Sequence, residues 1–300
     1  MFGSTLIDSA GSRVASAANV VADTARALAG GSSGASGGNW IIEHVSDAHV
    51  IDLEPFGQIH LPQFSPIHFA GLTIDMSITK HIVMLWIAAI LLFIVMRIVA
   101  RSYRRSLVPG KFSGAIEMTI LFVRDEVVLP AIGEKGRKLL PYFLTLFFLI
   151  LFANLFGLLP YASTPTGNIN VTASLAVIAF LVIQVSGMVQ YGPIGYFKGL
   201  VPPHIPIFVV PIMIVVEALG LFTKPFALCV RLFANMIAGH IVIFSLIGLI
   251  FVFGSIFIAP VSIAFALFIE LLEIMIAAIQ AYIFTTLTAL FVGMAIHQEH

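Results

Sequence analysis

The sequence predicts an all-α polytopic membrane protein. We expect about five membrane helices plus a surface amphipathic helix, with the last two membrane helices forming a long, tilted antiparallel hairpin. The 300-residue chain is 59% hydrophobic and 10% charged, whereas soluble domains are about 45–50% apolar and about 25% charged. Its apolar residues also form runs of about 20 residues, the length that a helix needs to cross a bilayer. A net charge of zero gives no sign of nucleic-acid binding.

The chain divides by composition into an N-terminal tail and a membrane domain. Residues 1–69 predict a partly flexible extramembrane tail on the outer side, and residues 70–300 the membrane domain. The stretch "AGGSSGASGG" in the tail is typical of a flexible linker. The residues before it lack the basic start and apolar core of a secretory signal. Asp8 and Asp23 also argue against a transit peptide.

The first predicted span, residues 81–100, sets the orientation. A cluster of basic residues closes and follows it: Arg97, Arg101, Arg104, Arg105 and Lys111. Because positively charged flanks stay on the cytoplasmic side, this end faces inward and the N-terminus lies outside. Residues 112–133 mix apolar and charged side chains, which predicts an amphipathic helix lying on the inner surface.

The remaining apolar segments predict two ordinary spans and two long ones. Residues 139–160 run outward and residues 169–191 return, joined by the uncharged loop "YASTPTGN". The chain is then apolar to its end except at "FGSIFIAP", whose glycine and proline predict a turn. The flanking spans, 205–253 and 260–296, each exceed the length of one upright crossing. Each is therefore either steeply tilted or broken into two pieces.

Polar residues within the last two spans are the candidate functional residues. A charged side chain at membrane depth costs about 2.5–3.5 kcal/mol, so such residues are rare and usually functional. In an antiparallel hairpin, one residue number rises as the other falls, so residues that lie side by side have numbers that add up to about the same total. The pairs Arg231 with Gln280 and His240 with Glu273 have nearly equal totals. One register therefore brings Arg231 near Gln280 and, about two turns further along, His240 near Glu273. The hairpin thus predicts a cationic layer and an imidazole–carboxylate layer.

The chemistry of these side chains predicts their roles. Arginine stays protonated at any relevant pH, so Arg231 is a fixed charge and not a proton carrier. Histidine titrates near neutral pH, and burial can bring a carboxylate into the same range. His240 and Glu273 therefore suit proton exchange, and Glu270, one turn before Glu273, extends that path. Asn235 shares a helix face with Arg231.

Simpler interpretations of single residues stay open beside these roles. Arg231 can form a structural ion pair with Glu217 or another intramembrane acid, and His240 can be a hydrogen-bonded core histidine. Glu217 either lines an inner access route or pairs with Lys224, which can also extend toward the inner surface. Asn154 predicts an interhelical hydrogen bond. The joint register of the two polar layers favours the functional interpretation.

Other reactive residue types suggest no further site. Cys229 has apolar neighbours and is expected to be a small packed residue. Four histidines in the N-terminal region lack metal-ligand spacing, so we assign no metal and no cofactor; they are His44, His49, His60 and His68.

The segment "KPFALCVRLFANMIAGH", with Glu273 and Gln280 downstream and "NLFGLLP" upstream, resembles the subunit a family of the F-type ATP synthases. The resemblance covers roughly residues 70 to 300. It implies a non-catalytic stator subunit that provides two proton half-channels against a rotating c-ring and couples proton translocation to rotary ATP synthesis. The implied partners are the c-ring, the peripheral-stalk b subunits, other F0 and F1 subunits, lipid and the transported protons. The implied location is a bacterial inner membrane, with the mitochondrial inner membrane as the alternative.

The resemblance also implies residue roles. Arg231 matches the family's essential arginine, Asn235 its neighbouring asparagine and Gln280 the glutamine that faces the arginine. Many bacterial members carry an acid where this chain has His240 and a histidine where it has Glu273, so one imidazole still faces one carboxylate. An independent transporter would favour internal repeats, which we do not find, and a structural scaffold leaves both polar layers unexplained.

Overall fold

A computed structural model describes the membrane part of the chain and short segments before it. The described residues are 50–53, 57–60, 62, 67–69, 72–74, 79–105, 110–159, 164–199, 208, 210–253, 257 and 259–297. Most of the predicted tail, including the glycine-rich linker, His44 and His49, lies outside these residues.

Two short β-hairpins precede the helices. Strand β1 (Val50–Leu53) pairs antiparallel with β2 (Gly57–His60), and β3 (Ile67–Phe69) pairs antiparallel with β4 (Leu72–Ile74). These strands were not predicted from the sequence. Each strand has only three or four residues, which is too short for an alternating pattern to stand out.

Five of the described helices are long and apolar enough to cross a membrane. They are α1 (Lys80–Arg105), α4 (Leu140–Gly157), α5 (Ile169–Gly199), α6 (Val210–Phe253) and α7 (Ala259–Ile296). This agrees with the predicted all-α polytopic class. Both long helices, α6 and α7, are continuous, so the alternative in which each is broken into two pieces is wrong.

The predicted surface helix corresponds to a compound helix. It begins with α2 (Lys111–Phe122), passes through one π-helical segment (Val123–Val128) and ends with α3 (Leu129–Ile132). One side of its second half is buried against the membrane helices. This segment is therefore more than a surface helix, because it contributes to the core as well.

A glycine interrupts α5 near the end of the predicted third span. Gly192 has φ 73° and ψ 160°, outside the helical region, and Pro193 follows it. A positive φ is accessible to glycine without a steric penalty, and proline has no N–H to continue the helical hydrogen bonds. The segment after residue 192 is therefore a separate short helical piece.

Helix α7 lies at the centre of the bundle. It packs against α3, α4, α5 and α6. The side facing these helices carries small residues at near-helical spacing, since Ala277, Ala281 and Ala289 are fully buried. Small residues let helix backbones approach closely inside a membrane, where apolar side chains gain nothing by leaving lipid. The opposite face of α7 is exposed and apolar, with Phe265, Phe268 and Leu271.

Candidate functional site

The antiparallel hairpin of α6 and α7 brings an imidazole and a carboxylate together. His240 Nδ1 lies 3.5 Å from Glu273 Oε1, and the two side chains are 18% and 2% exposed. In the part of the chain that the structure describes, neither oxygen of Glu273 accepts a hydrogen bond. A buried polar group without a partner is rare and calls for a functional explanation. Proton exchange with His240 is such an explanation.

Gly239 makes room for the Glu273 carboxylate. A Cβ at this position would lie 2.6 Å from Glu273 Oε1 and 2.8 Å from its Cδ. Any larger residue would therefore displace the carboxylate. The residue before His240 thus sets how close Glu273 can come to the imidazole.

The turn between α4 and α5 supplies a third group to this site. The hydroxyl of Thr164 forms a hydrogen bond with His240 Nε2. Thr164 precedes a single 3₁₀ turn, Pro165–Gly167, and is buried. Thr164 was not predicted from the sequence, because no local spacing links position 164 to position 240.

The predicted cationic layer occupies the same hairpin. The rise of 1.5 Å per residue puts Arg231 about 13.5 Å along α6 from His240, and Gln280 about 10.5 Å along α7 from Glu273. The levels of Arg231 and Gln280 therefore differ by about 3 Å. Gln280 is buried, whereas Arg231 and Asn235 are partly exposed. Among the described residues, no hydrogen bond or ion pair joins Arg231 to Gln280, so similar levels along the hairpin do not bring a bond between them.

In the described part of the chain, the remaining intramembrane charges form no ion pairs with one another. Glu270 is partly exposed one turn before Glu273 and near enough for the two charges to interact. The Lys224 ammonium lies 5.2 Å from the centroid of the Phe291 ring. Within the described residues, Glu217 makes no ion pair with Lys224 or Arg231. The simpler interpretations that required those ion pairs are not supported.

The structure shows the partners of two further residues singled out from the sequence, Asn154 and Cys229. Asn154 accepts a hydrogen bond from the Thr166 hydroxyl at 2.6 Å. Its partner is thus in the 3₁₀ turn after α4, and among the described residues no hydrogen bond joins Asn154 to another membrane helix. Cys229 is buried, as expected, with its sulfur 3.5 Å from the Thr172 hydroxyl.

A known protein family matches the part of the chain that contains all the site residues described above. The family model for the ATP synthase A chain matches residues 82–293. The chain belongs to the ATP synthase subunit a family. It is therefore a multi-pass membrane subunit with the proton-translocating stator role of that family, and other ATP synthase subunits are its partners.

Bacterial members of the subunit a family align over most of the chain. ATP synthase subunit a of Chloroherpeton thalassium is 51% identical over 263 residues, covering 86% of this chain and 77% of its own. The protein of the same name from Myxococcus xanthus is 49% identical over 229 residues, covering 76% of this chain and 75% of its own. ATP synthase subunit a 2 of Chlorobaculum tepidum is 42% identical over 299 residues, covering 95% and 83%. The mitochondrial alternative finds no support in these relatives.

Proposed function

We propose that the two polar layers of the α6–α7 hairpin carry out the proton transfer of this stator subunit against a c-ring in a bacterial inner membrane. His240 and Glu273 form the outer relay, and Glu270 extends it. The observation that carries this proposal is the 3.5 Å contact between His240 Nδ1 and Glu273 Oε1. Both groups can gain and lose protons, and both are shielded from bulk water by the surrounding helices.

Arg231 serves as the fixed charge of the second layer. A c-ring carboxylate can face lipid only when it is protonated, because an ion there is costly. Near Arg231, the positive field favours the ionised form, so the proton leaves by an inner route that Glu217 lines. Past Arg231, the carboxylate is reprotonated through the outer relay. Asn235 and Gln280 provide polar contacts beside the arginine without changing charge.

The exposed surface beside Arg231 supports contact with the c-ring. Val230 and Phe226 are 36% and 69% exposed, and Ala234 and Ala238 are exposed on the same side of α6. Small residues on an exposed apolar helix face allow another helix to approach closely. Arg231 lies at the edge of this face, where a passing carboxylate can reach it. The peripheral-stalk b subunits are proposed as further partners, on the family resemblance alone.

Replacing Arg231 in the assembled complex tests this proposal. Arg231→Ala should abolish ATP-driven proton pumping in inverted membrane vesicles while the complex stays assembled. Lys224→Ala is the matched control, because it removes a cation from the same helix two turns away and should retain pumping. Normal pumping by Arg231→Ala, or an equal loss in both variants, would contradict the role of Arg231.

Two further variants test the outer relay separately. Glu273→Gln and His240→Ala each remove one of the paired titratable groups. Each should lower proton pumping strongly, with the amount of assembled complex unchanged. Pumping at the parental rate in either variant would refute the relay.

A further inference from the structure

The proposed relay leaves the buried turn between α4 and α5 without a function. We propose that Thr164 is the positioning residue of His240, whose hydroxyl holds the imidazole so that Nδ1 faces Glu273. This inference rests on the proposed function, because it assigns Thr164 a part in the His240–Glu273 relay. Among the described residues, no hydrogen bond joins Thr164 to Arg231 or to Glu273, so Thr164 acts through the histidine.

The two ring nitrogens of His240 face partners from two different parts of the fold. Nε2 is hydrogen-bonded to Thr164 Oγ1, and Nδ1 faces Glu273 Oε1 at 3.5 Å. Which nitrogen of a histidine carries the proton depends on the bond that the other nitrogen makes. A partner at Nε2 therefore orients the ring and defines which atom addresses the carboxylate.

The turn that carries Thr164 is held in place without any help from His240. Thr166 donates to the Asn154 amide oxygen at 2.6 Å, which ties the turn to α4. Asn168 Oδ1 accepts from the N–H of Asn170 at 2.8 Å, which caps the start of α5. At Gly157, a Cβ would overlap the Thr164 side chain, so only glycine lets the turn lie this close to α4.

Burial adds to this constraint. Thr164 is 3% exposed and Thr166 is fully buried. The Thr164 hydroxyl is thus a fixed point, and the His240 side chain is the group that it orients.

A hydroxyl suits a histidine that changes its protonation state. It carries one donor and two acceptor lone pairs, and it can rotate to use either. When His240 carries protons on both nitrogens, Thr164 accepts from Nε2–H. When Nε2 is bare, Thr164 donates to it. While Nδ1 exchanges a proton with Glu273, Nε2 keeps its hydrogen and Thr164 accepts from it throughout, which a side chain with donors only could not achieve.

Two substitutions at position 164 separate the hydroxyl from the shape of the side chain. Thr164→Val keeps the branched shape and removes the hydroxyl, whereas Thr164→Ser keeps the hydroxyl and removes a methyl group. The assay uses the assembled complex in inverted vesicles. Thr164→Val should lower the rate of ATP-driven proton pumping about two- to tenfold, which is the effect expected from the loss of one hydrogen bond. Thr164→Ser should keep at least about half of the parental rate.

The matched control is Thr288→Val. Thr288 is also fully buried, but the one partner of its hydroxyl among the described residues is the carbonyl oxygen of Phe284 in its own helix. This variant should pump like the parent. A purely structural role of Thr164 reverses the order, with valine tolerated and serine impaired, and that result or an equal loss in both would overturn the inference. If Thr164→Val fails to assemble, Thr164→Ala is compared with Thr164→Ser by the same criterion.

His240→Ala in the same assay distinguishes this inference from the proposed function. Parental pumping by His240→Ala refutes the relay itself. Loss of pumping in His240→Ala together with parental pumping in Thr164→Val refutes only the role of Thr164.

Discussion

Replacing Gly239 with alanine should move the Glu273 carboxylate away from His240. The new Cβ would lie 2.6 Å from Glu273 Oε1, whereas ordinary contacts begin at 3.4 Å. The two atoms must therefore separate by at least about 0.8 Å. The carboxylate is the group that moves, because it is the free end of a flexible side chain whereas the Cβ is fixed to the helix backbone. A shift of this size directly away from His240 lengthens the 3.5 Å distance between Glu273 Oε1 and His240 Nδ1 to about 4.3 Å, beyond the usual limit of about 4 Å for an ion pair.

The expected effect falls on transport and not on assembly. Losing one contact of about 1 kcal/mol corresponds to about a fivefold lower rate of proton pumping. Alanine is more favourable than glycine within a helix by about 0.5–1 kcal/mol, which offsets the strain of moving the carboxylate. Gly239→Ala should therefore assemble normally and pump slowly.

Inverted vesicles with matched amounts of complex provide the assay, with acidification followed by a pH-sensitive dye. The control is Gly220→Ala in the same helix, where the described residues place no atom from a neighbouring element within 4 Å of the new Cβ. Glu273→Asp shortens the side chain, so adding Gly239→Ala to it should cost less than in the parent. Parental pumping by Gly239→Ala, or a loss that follows reduced assembly, would refute the reasoning.

Two other changes probe the relay and the packing of α7. Exchanging the pair, His240→Glu with Glu273→His, should retain more proton pumping than either single change, because one imidazole still faces one carboxylate. Equal loss in all three variants would argue against a paired relay. Gly293→Ala places a Cβ against the backbone carbonyl of Ala131 in α3, which cannot move freely. Such overpacking costs about 1–3 kcal/mol, so less complex should survive heating than with Gly220→Ala, and equal survival would disprove the close approach.

The pairing of residues across the α6–α7 hairpin could be predicted because helices are regular along their length. Two long apolar segments joined by a short turn must run antiparallel, and a helix has a constant rise per residue. Those two facts pair His240 with Glu273 from their residue numbers alone, and the structure brings these two side chains together. The pattern says less about Arg231 and Gln280, since aligned levels do not require a bond.

The turn residues could not be predicted in the same way. Thr164 reaches His240 across 76 positions of sequence, and their contact depends on how α4, α5 and α6 pack together. Asn154 shows the same limit, because its need for a partner was evident but Thr166 as that partner was not. The break at Gly192 did have a local signal in the proline that follows it.

The buried alanines of α7 have a mechanical consequence. Alanine has no alternative side-chain rotamers. The contacts that Ala277, Ala281 and Ala289 make with the other helices therefore cannot change by rotamer rearrangement when a force is applied. Close-packed interiors also compress little. A sideways force on the exposed face of α7 is therefore transmitted to the other helices with little displacement of α7 relative to them. Glu273 and Gln280 lie on this same stiff helix, so their positions change little under such a force.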